Sequence, residues 1–245
     1  MKIRYWYVIL TYIIMQFSGI LGIPLLLFLG VGDDLDPDKA KNTIIATWTI
    51  ISFVAALPIV LFLLRQDIRE RHQNLERSSK GEAIGWAIAG VFMAMTSQIL
   101  AANIEIHLFG IEPGSENTQE IMALVKSLPL LVIVVSIIGP ILEEIIFRQI
   151  IFGSLYKKFN FFISGLISSL IFAAVHMDFT HILIYTAMGF TFAFLYVQTK
   201  RIIVPIFAHV AMNTFVVAVQ TIFADDIERI MKQAEKLQQT FIGGF

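Results

Sequence analysis

The sequence predicts an all-α fold, a polytopic membrane helix bundle of about seven transmembrane helices, on three observations. Hydrophobic residues make up 57% of its 245 residues and charged residues only 15%, against roughly 45–50% and about 25% in soluble domains. The apolar residues fall into runs of the ~20 residues that cross a bilayer. The charged clusters between those runs alternate in sign along the chain.

Taken in order, the runs are 6–30, 43–64, 82–104, 127–156, 160–177, 179–198 and 202–223. The first is too long, and too weakly followed by a small-residue cleavage site, for a signal peptide, so it reads as a retained helix. In the fourth, Gly139-Pro140 predicts a break or kink, because proline lacks the amide hydrogen and restricts its predecessor. Broken helices at depth line water-containing cavities. Lys2 and Arg4, then Arg65, Arg69, Arg71, Arg77 and Lys80, then Lys157 and Lys158, then Lys200 and Arg201 mark four segments as cytoplasmic. The first loop (Asp33, Asp34, Asp36, Asp38 against Lys39 and Lys41) and the third (Glu112, Glu116, Glu120 against Lys126) face outward. Seven spans place the amino terminus inside. The tail, 224–245, carries Ile227, Ile230, Met231, Ala234, Leu237 and Phe241 near one helical stripe and is read as amphipathic. With no repeat or low-complexity tract, residues 1–245 read as one membrane-embedded domain.

The composition also excludes functions. A net charge of -1 and a pI near 6.5 leave no basic field for nucleic acid. The absence of cysteine removes disulfides, thiolate metal sites and a thiol nucleophile. Chemistry must come from His, carboxylate, Ser, Thr or Asn.

Ionisable groups within a span cost ~2.5–3.5 kcal/mol each on insertion scales, so each one is a candidate site. They gather in the second half of the chain. Glu143, Glu144 and Arg148 lie in the fourth run, His176 ends the fifth, and His209 and Asn213 lie in the seventh. Glu144 and Arg148, four apart, share a helix face, where the arginine can neutralise the carboxylate as a support. Glu143 is rotated about 100° away, has no cation on its own helix, and is left to accept a proton from water. His209 and Asn213 also share a face and form a donor pair for a developing oxyanion. His176 completes the site by holding the water with Glu143 or by binding a metal. His181, at a helix start, reads as an interfacial anchor, and His72 and His107 as solvent-exposed. At ~1.5 Å per residue, Glu143 lies about 21 Å from Lys157, His176 about 27 Å from Lys158 and His209 only about 12 Å from Arg201. These depths do not coincide on straight α-helices.

Together the runs read Glu-Glu-x-x-x-Arg, Phe-x-x-x-His and His-x-x-x-Asn, in that order on three helices. The ordered triple, with Phe147-Arg148 and the lead Pro205-Ile206-Phe207-Ala208 into His209, resembles the CaaX prenyl-protease and bacteriocin-processing (CPBP, Abi) family of intramembrane endopeptidases. The likeness covers residues 127–213, the expected catalytic helices. It implies that Glu143 and His176 activate the attacking water, that His209 and Asn213 stabilise the oxyanion, and that Glu144 with Arg148 orients the rest. Family members are described as metal-dependent, with a glutamate-activated water as the metal-free alternative. Zinc on Glu143, His176 and His209 is the metal this sequence admits, although the zinc-protease motif His-Glu-x-x-His is absent. Gln149 stands where many relatives have Gly. The expected substrate is a membrane-associated peptide or protein, prenylated or precursor, in a bacterial cell membrane. Two other readings stay open: an ion-coupled transporter with Glu143 and His176 as a proton relay, and an idle scaffold of the same family.

Overall fold

The computed structural model describes residues 1–70, 77–224, 226 and 229, and the described part is helical throughout, without strands. The helices are α1 (Ile3–Phe17), α2 (Gly19–Phe28), α3 (Pro37–Leu63), α4 (Arg65–Glu70), α5 (Lys80–Phe109), α6 (Glu116–Ser127), a segmented helix α7 (131–155), α8 (Phe161–Val175), α9 (Ile182–Thr199) and α10 (Ile203–Ile222). Most of the expected amphipathic tail, and His72, fall outside the described residues.

Four helices, α3, α5, α9 and α10, are long and apolar enough to cross a membrane, and α1 with α2 makes a fifth when the bent pair is taken as one span. Two of the seven expected runs escape that measure: α8 has 15 residues, and α7 is not wound as one α-helix. The 43° bend between α1 and α2 falls at Ser18. Its hydroxyl donates to the Met15 carbonyl (2.7 Å) and accepts from the Trp48 indole N–H of α3 (2.9 Å). One turn on, Gly22 leaves room for the Trp48 ring, which a Cβ there would overlap.

Local signals set the other ends. Ser79 and Glu82 form a reciprocal capping box at the start of α5, and Gly110, left-handed at φ 66°, closes it. Ser115 and Asn160 cap the starts of α6 and α8 by accepting from the Thr118 and Ile163 amides. The third loop therefore contains a short helix, α6, that hydropathy alone did not reveal. It packs against α3 and α10.

The predicted break at Gly139-Pro140 is instead a change of winding. α7 runs α over Leu131–Ile133, π over Val134–Ile138, α over Gly139–Glu143, π over Glu144–Phe152 and α again over Gly153–Leu155. In the first π turn the Gly139 amide bonds to the Val134 carbonyl, five residues back. The next donor in that register is Pro140, which has no N–H. The Val135 carbonyl is left without a helical partner and takes one from α10, as described below.

α7 is the centre of the bundle. Glu144 through Ile150 are all buried, as expected for a helix surrounded on every side. The core around it joins Leu142, Ile146, Phe147 and Ile150 to Phe172 of α8, Phe192 and Leu195 of α9 and Ala208 of α10. Outward-facing positions such as Leu21, Phe92, Phe162 and Ile222 are apolar and exposed, the surface of a multi-pass membrane protein that lipid covers.

The four basic segments lie on one face. Lys2 and Arg4 pair with Asp67 and Glu70 of α4. Arg201 donates through Nε and Nη2 to the Ser78 carbonyl (2.8 and 2.6 Å). Lys200 sits over the Tyr156 ring.

Candidate active site

The site is built on α7, whose second π segment carries Glu144 and Arg148 into the core. Glu144 is fully buried; its Oε2 is 3.3 Å from Arg148 Nε, and its Oε1 is 2.9 Å from His209 Nδ1. The first contact is the one the four-residue spacing predicts. The second reaches 65 residues along the chain, and spacing cannot show it. The Arg148 guanidinium lies over Phe172 (4.2 Å to the ring centre) and Phe192 (5.1 Å), so its charge is held by one carboxylate and two aromatic faces. The His209 ring stacks on Phe192 at 4.7 Å and 19°.

With Nδ1 committed to Glu144, His209 presents Nε2 to Glu143, whose Oε2 is 3.7 Å away. Glu143 is one residue before Glu144 and faces the cavity, as the rotation of about 100° requires. His176 follows α8. Its Nδ1 is 2.8 Å from the Phe172 carbonyl, which can only accept, so Nδ1 carries the hydrogen and a neutral ring keeps its Nε2 lone pair. Tyr185 of α9 stacks on that ring at 4.3 Å and 28°. Asn213 of α10 donates one of its two amide hydrogens to the Val135 carbonyl (3.2 Å), the group that Pro140 orphans.

These residues meet in one cavity of about 510 Å³, lined by Glu143, His176, His209 and Asn213 together with Tyr12 and Gln16 of α1 and Asn117 and Thr118 of α6. Glu144 and Arg148 stand behind it and do not line it. The nine-residue π segment between Glu143 and Lys157 closes part of the depth mismatch expected on straight helices. A π turn uses more residues for each turn, so Glu143 lies closer to the basic face than an α-helical rise predicts.

Several lining residues escape motif reading. Tyr12 is buried, packs edge-on to Phe147 and carries a hydroxyl that nothing in its own run marks as special. His107 is exposed, as expected. His181 is not an interfacial anchor: it is buried against Glu105 of α5, a carboxylate one residue beyond the expected third span.

His209 spends Nδ1 on Glu144, and His176 spends Nδ1 on a carbonyl. Among the described residues no three His, Asp or Glu side chains form a metal-holding group. Both Nδ1 bonds leave Nε2 free, the usual arrangement of a metal-bound imidazole, so an ion on Glu143, His176 and His209 would need these side chains to draw closer together than they lie here.

A cavity among membrane helices that gathers carboxylates, imidazoles and a carboxamide is a candidate site for acid–base chemistry within the bilayer. Comparison with known proteins gives the family. Residues 125–215 match the family model described as Type II CAAX prenyl endopeptidase Rce1-like. YdiL of Bacillus subtilis, provisionally named a membrane peptidase, is 52% identical over 244 residues, covering 100% of this chain and 99% of its own. The membrane-embedded CAAX protease MroQ of Staphylococcus aureus is 32% identical over 251 residues, 98% and 99% of the two chains. YxdF of Lactococcus lactis, a UPF0177 protein, is 30% identical over 135 residues, 54% of this chain and 74% of its own. The chain belongs to this family of CAAX proteases. No solved structure matches it.

Proposed function

We propose that the chain is an intramembrane endopeptidase that cleaves a membrane-associated peptide or protein with a glutamate-activated water. The observation that carries this is the convergence of Glu143, His176, His209 and Asn213, from three separate helical runs, on one cavity. Glu143 takes a proton from water while the water oxygen forms a bond to the scissile carbonyl carbon. His176 Nε2 accepts the second water hydrogen and fixes its direction. The carbonyl oxygen becomes an oxyanion and receives hydrogen bonds from His209 Nε2–H and the second amide hydrogen of Asn213. Collapse breaks the C–N bond, and the proton on Glu143 passes to the leaving amine.

The support residues serve this step through charge. Glu143, Glu144, Arg148 and an imidazolium at His209 sum to zero, the balanced state for a cluster withdrawn from water. His209 then holds a hydrogen on both nitrogens, one given to Glu144 and one to the oxyanion. The basic face, with the amino terminus, lies in the cytoplasm of a bacterial cell.

The test is a purified, membrane-reconstituted preparation assayed on a membrane peptide mixture, with fold checked by size-exclusion profile. Glu143→Gln, His176→Ala and His209→Ala each abolish cleavage while the protein elutes unchanged. Full cleavage by folded Glu143→Gln contradicts the glutamate-activated water.

A further inference from the structure

Outside the motif helices lies a second buried ion pair. Glu105, 1% exposed near the end of α5, accepts on Oε1 from the Leu183 and Ile184 amides at the start of α9 (3.1 and 3.3 Å). Its Oε2 is 2.8 Å from His181 Nδ1, and His181 Nε2 is 2.7 Å from the Gly114 carbonyl in the loop between α5 and α6. That loop and the first turn of α6 border the cavity: Gly114 and Ser115 of the loop and Asn117 and Thr118 of α6 all line it. Ser115 also donates to Asp178 (2.7 Å), and Asn117 donates to the Tyr185 hydroxyl (3.2 Å). Tyr185 is the ring on which His176 stacks. An unbroken series of contacts thus runs from Glu105 through His181, the loop and Tyr185 to His176.

The series needs a proton. The Gly114 carbonyl only accepts, so Nε2 must carry a hydrogen, and a second is shared between Nδ1 and Oε2. If that second proton leaves, two lone pairs face each other, either at Glu105 or, after tautomer exchange, at Gly114. One of the two contacts becomes repulsive.

We propose that Glu105 and His181 are positioning residues for the active site: a proton-held latch that fixes the 110–118 segment over the cavity and, through Asn117 and Tyr185, the ring of His176. The positioning claim rests on the hydrolytic reading above; the latch itself does not. The titratable groups facing the imidazole among the described residues are Glu105 from α5 and Asp178 from the α8–α9 turn. Burial disfavours the cation, but Glu105, the Gly114 carbonyl and Asp178 outweigh it and hold His181 above its ordinary value of 6.5. A group raised on folding contributes fully below its unfolded value and loses its contribution as pH rises through the folded one. The latch is therefore closed in mild acid and opens on the alkaline side.

The experiment uses the absence of cysteine in the full chain. A single cysteine at Thr118, half-buried on the cavity wall, reports latch opening by its maleimide labelling rate in reconstituted protein. Asp34→Cys, exposed on the loop between α2 and α3, corrects for thiolate formation. The corrected rate at Thr118→Cys is expected to rise several-fold above neutral pH. Adding His181→Ala makes labelling fast at every pH. Adding Glu105→Gln makes it slow at every pH, because a carboxamide donates to Nδ1 and leaves Nε2–H on Gly114. In cleavage assays Glu105→Gln moves the alkaline limb of the pH profile upward. A corrected rate in the parent that does not change with pH overturns the latch without needing either variant. A working latch in a protein that cleaves nothing overturns the hydrolytic reading alone, and a pH-gated loop with an unshifted Glu105→Gln cleavage profile overturns the positioning role.

Discussion

Arg148 is the side chain on which the electrostatics of the site turns. It is 1% exposed, meets Glu144 on one side and two phenyl rings on the other, and Nη1 and Nη2 have no hydrogen-bond partner among the described residues. Removing it strands a fully buried carboxylate, so Arg148→Ala is expected to cost about 3–5 kcal/mol and to appear first as lost yield and a lower unfolding temperature. Arg148→Lys keeps the charge but lacks the planar group that stacks between the rings, and is expected to recover only part of that stability. Asn213 has a different role. Its truncation is expected to lower the cleavage rate by about 10²–10³, or 2.7–4 kcal/mol, if its second amide hydrogen meets the oxyanion. Single-turnover cleavage measures this, and a fully active Asn213→Ala removes Asn213 from the oxyanion site.

At the scale of elements, the winding of α7 connects sequence to site. Pro140 frees the Val135 carbonyl, and Asn213 is oriented by taking it. Pro140→Ala restores a backbone donor that competes for the same oxygen. The variant is expected to fold at least as well and to cleave more slowly, approaching Asn213→Ala, in parallel unfolding and rate measurements. Close packing between α8 and α9 gives a second prediction. A Cβ at Gly189 would lie 2.6 Å from Ser169 Cβ and 2.5 Å from its hydroxyl, so Gly189→Ala is expected to destabilise by about 1–3 kcal/mol. Adding Ser169→Gly recovers much of the loss in the same thermal scan.

The element scale also shows where sequence was sufficient. Hydropathy runs located the apolar helices within a few residues, and i,i+4 spacing identified the Glu144–Arg148 pair, because both are properties of a single helix. The Glu144–His209 bond, the Tyr185 brace on His176 and the burial of Glu105 depend on which helices are neighbours. Glu105 and His181 are 76 residues apart, and nothing in either run points to the other. The π winding was legible only as a disturbance at Gly139-Pro140. A missing amide hydrogen predicts that the helical register must change but does not say whether the chain kinks or rewinds.

For the molecule as a whole, the two ends of the bundle are secured by different chemistry. On the basic face, burial alone would raise the Asp67 carboxyl, but hydrogen bonds from Lys2, Arg4 and Tyr5 reverse this and hold it below its ordinary range. A group lowered on folding contributes stability above its unfolded value and loses it as pH falls through the folded one. The unfolding temperature is therefore expected to drop in acid, and Asp67→Asn to flatten that drop while leaving neutral-pH cleavage intact. On the opposite face the Glu105–His181 pair weakens on the alkaline side. A membrane peptidase built this way is closed and stable between the two limits, with Glu143, His176, His209 and Asn213 lining a cavity that α6 and the loop before it also border.

Activation of water by Glu143 inside this cavity is the step on which peptide hydrolysis would depend. It is tested most directly by comparing the peptide termini found in membranes of cells expressing the parent chain with those expressing Glu143→Gln at equal level. Termini present with the parent and missing with the variant are expected, and they would also identify the substrate. Identical termini from both, with the variant retaining whatever phenotype the parent confers, would contradict it and favour a non-hydrolytic role for the same fold.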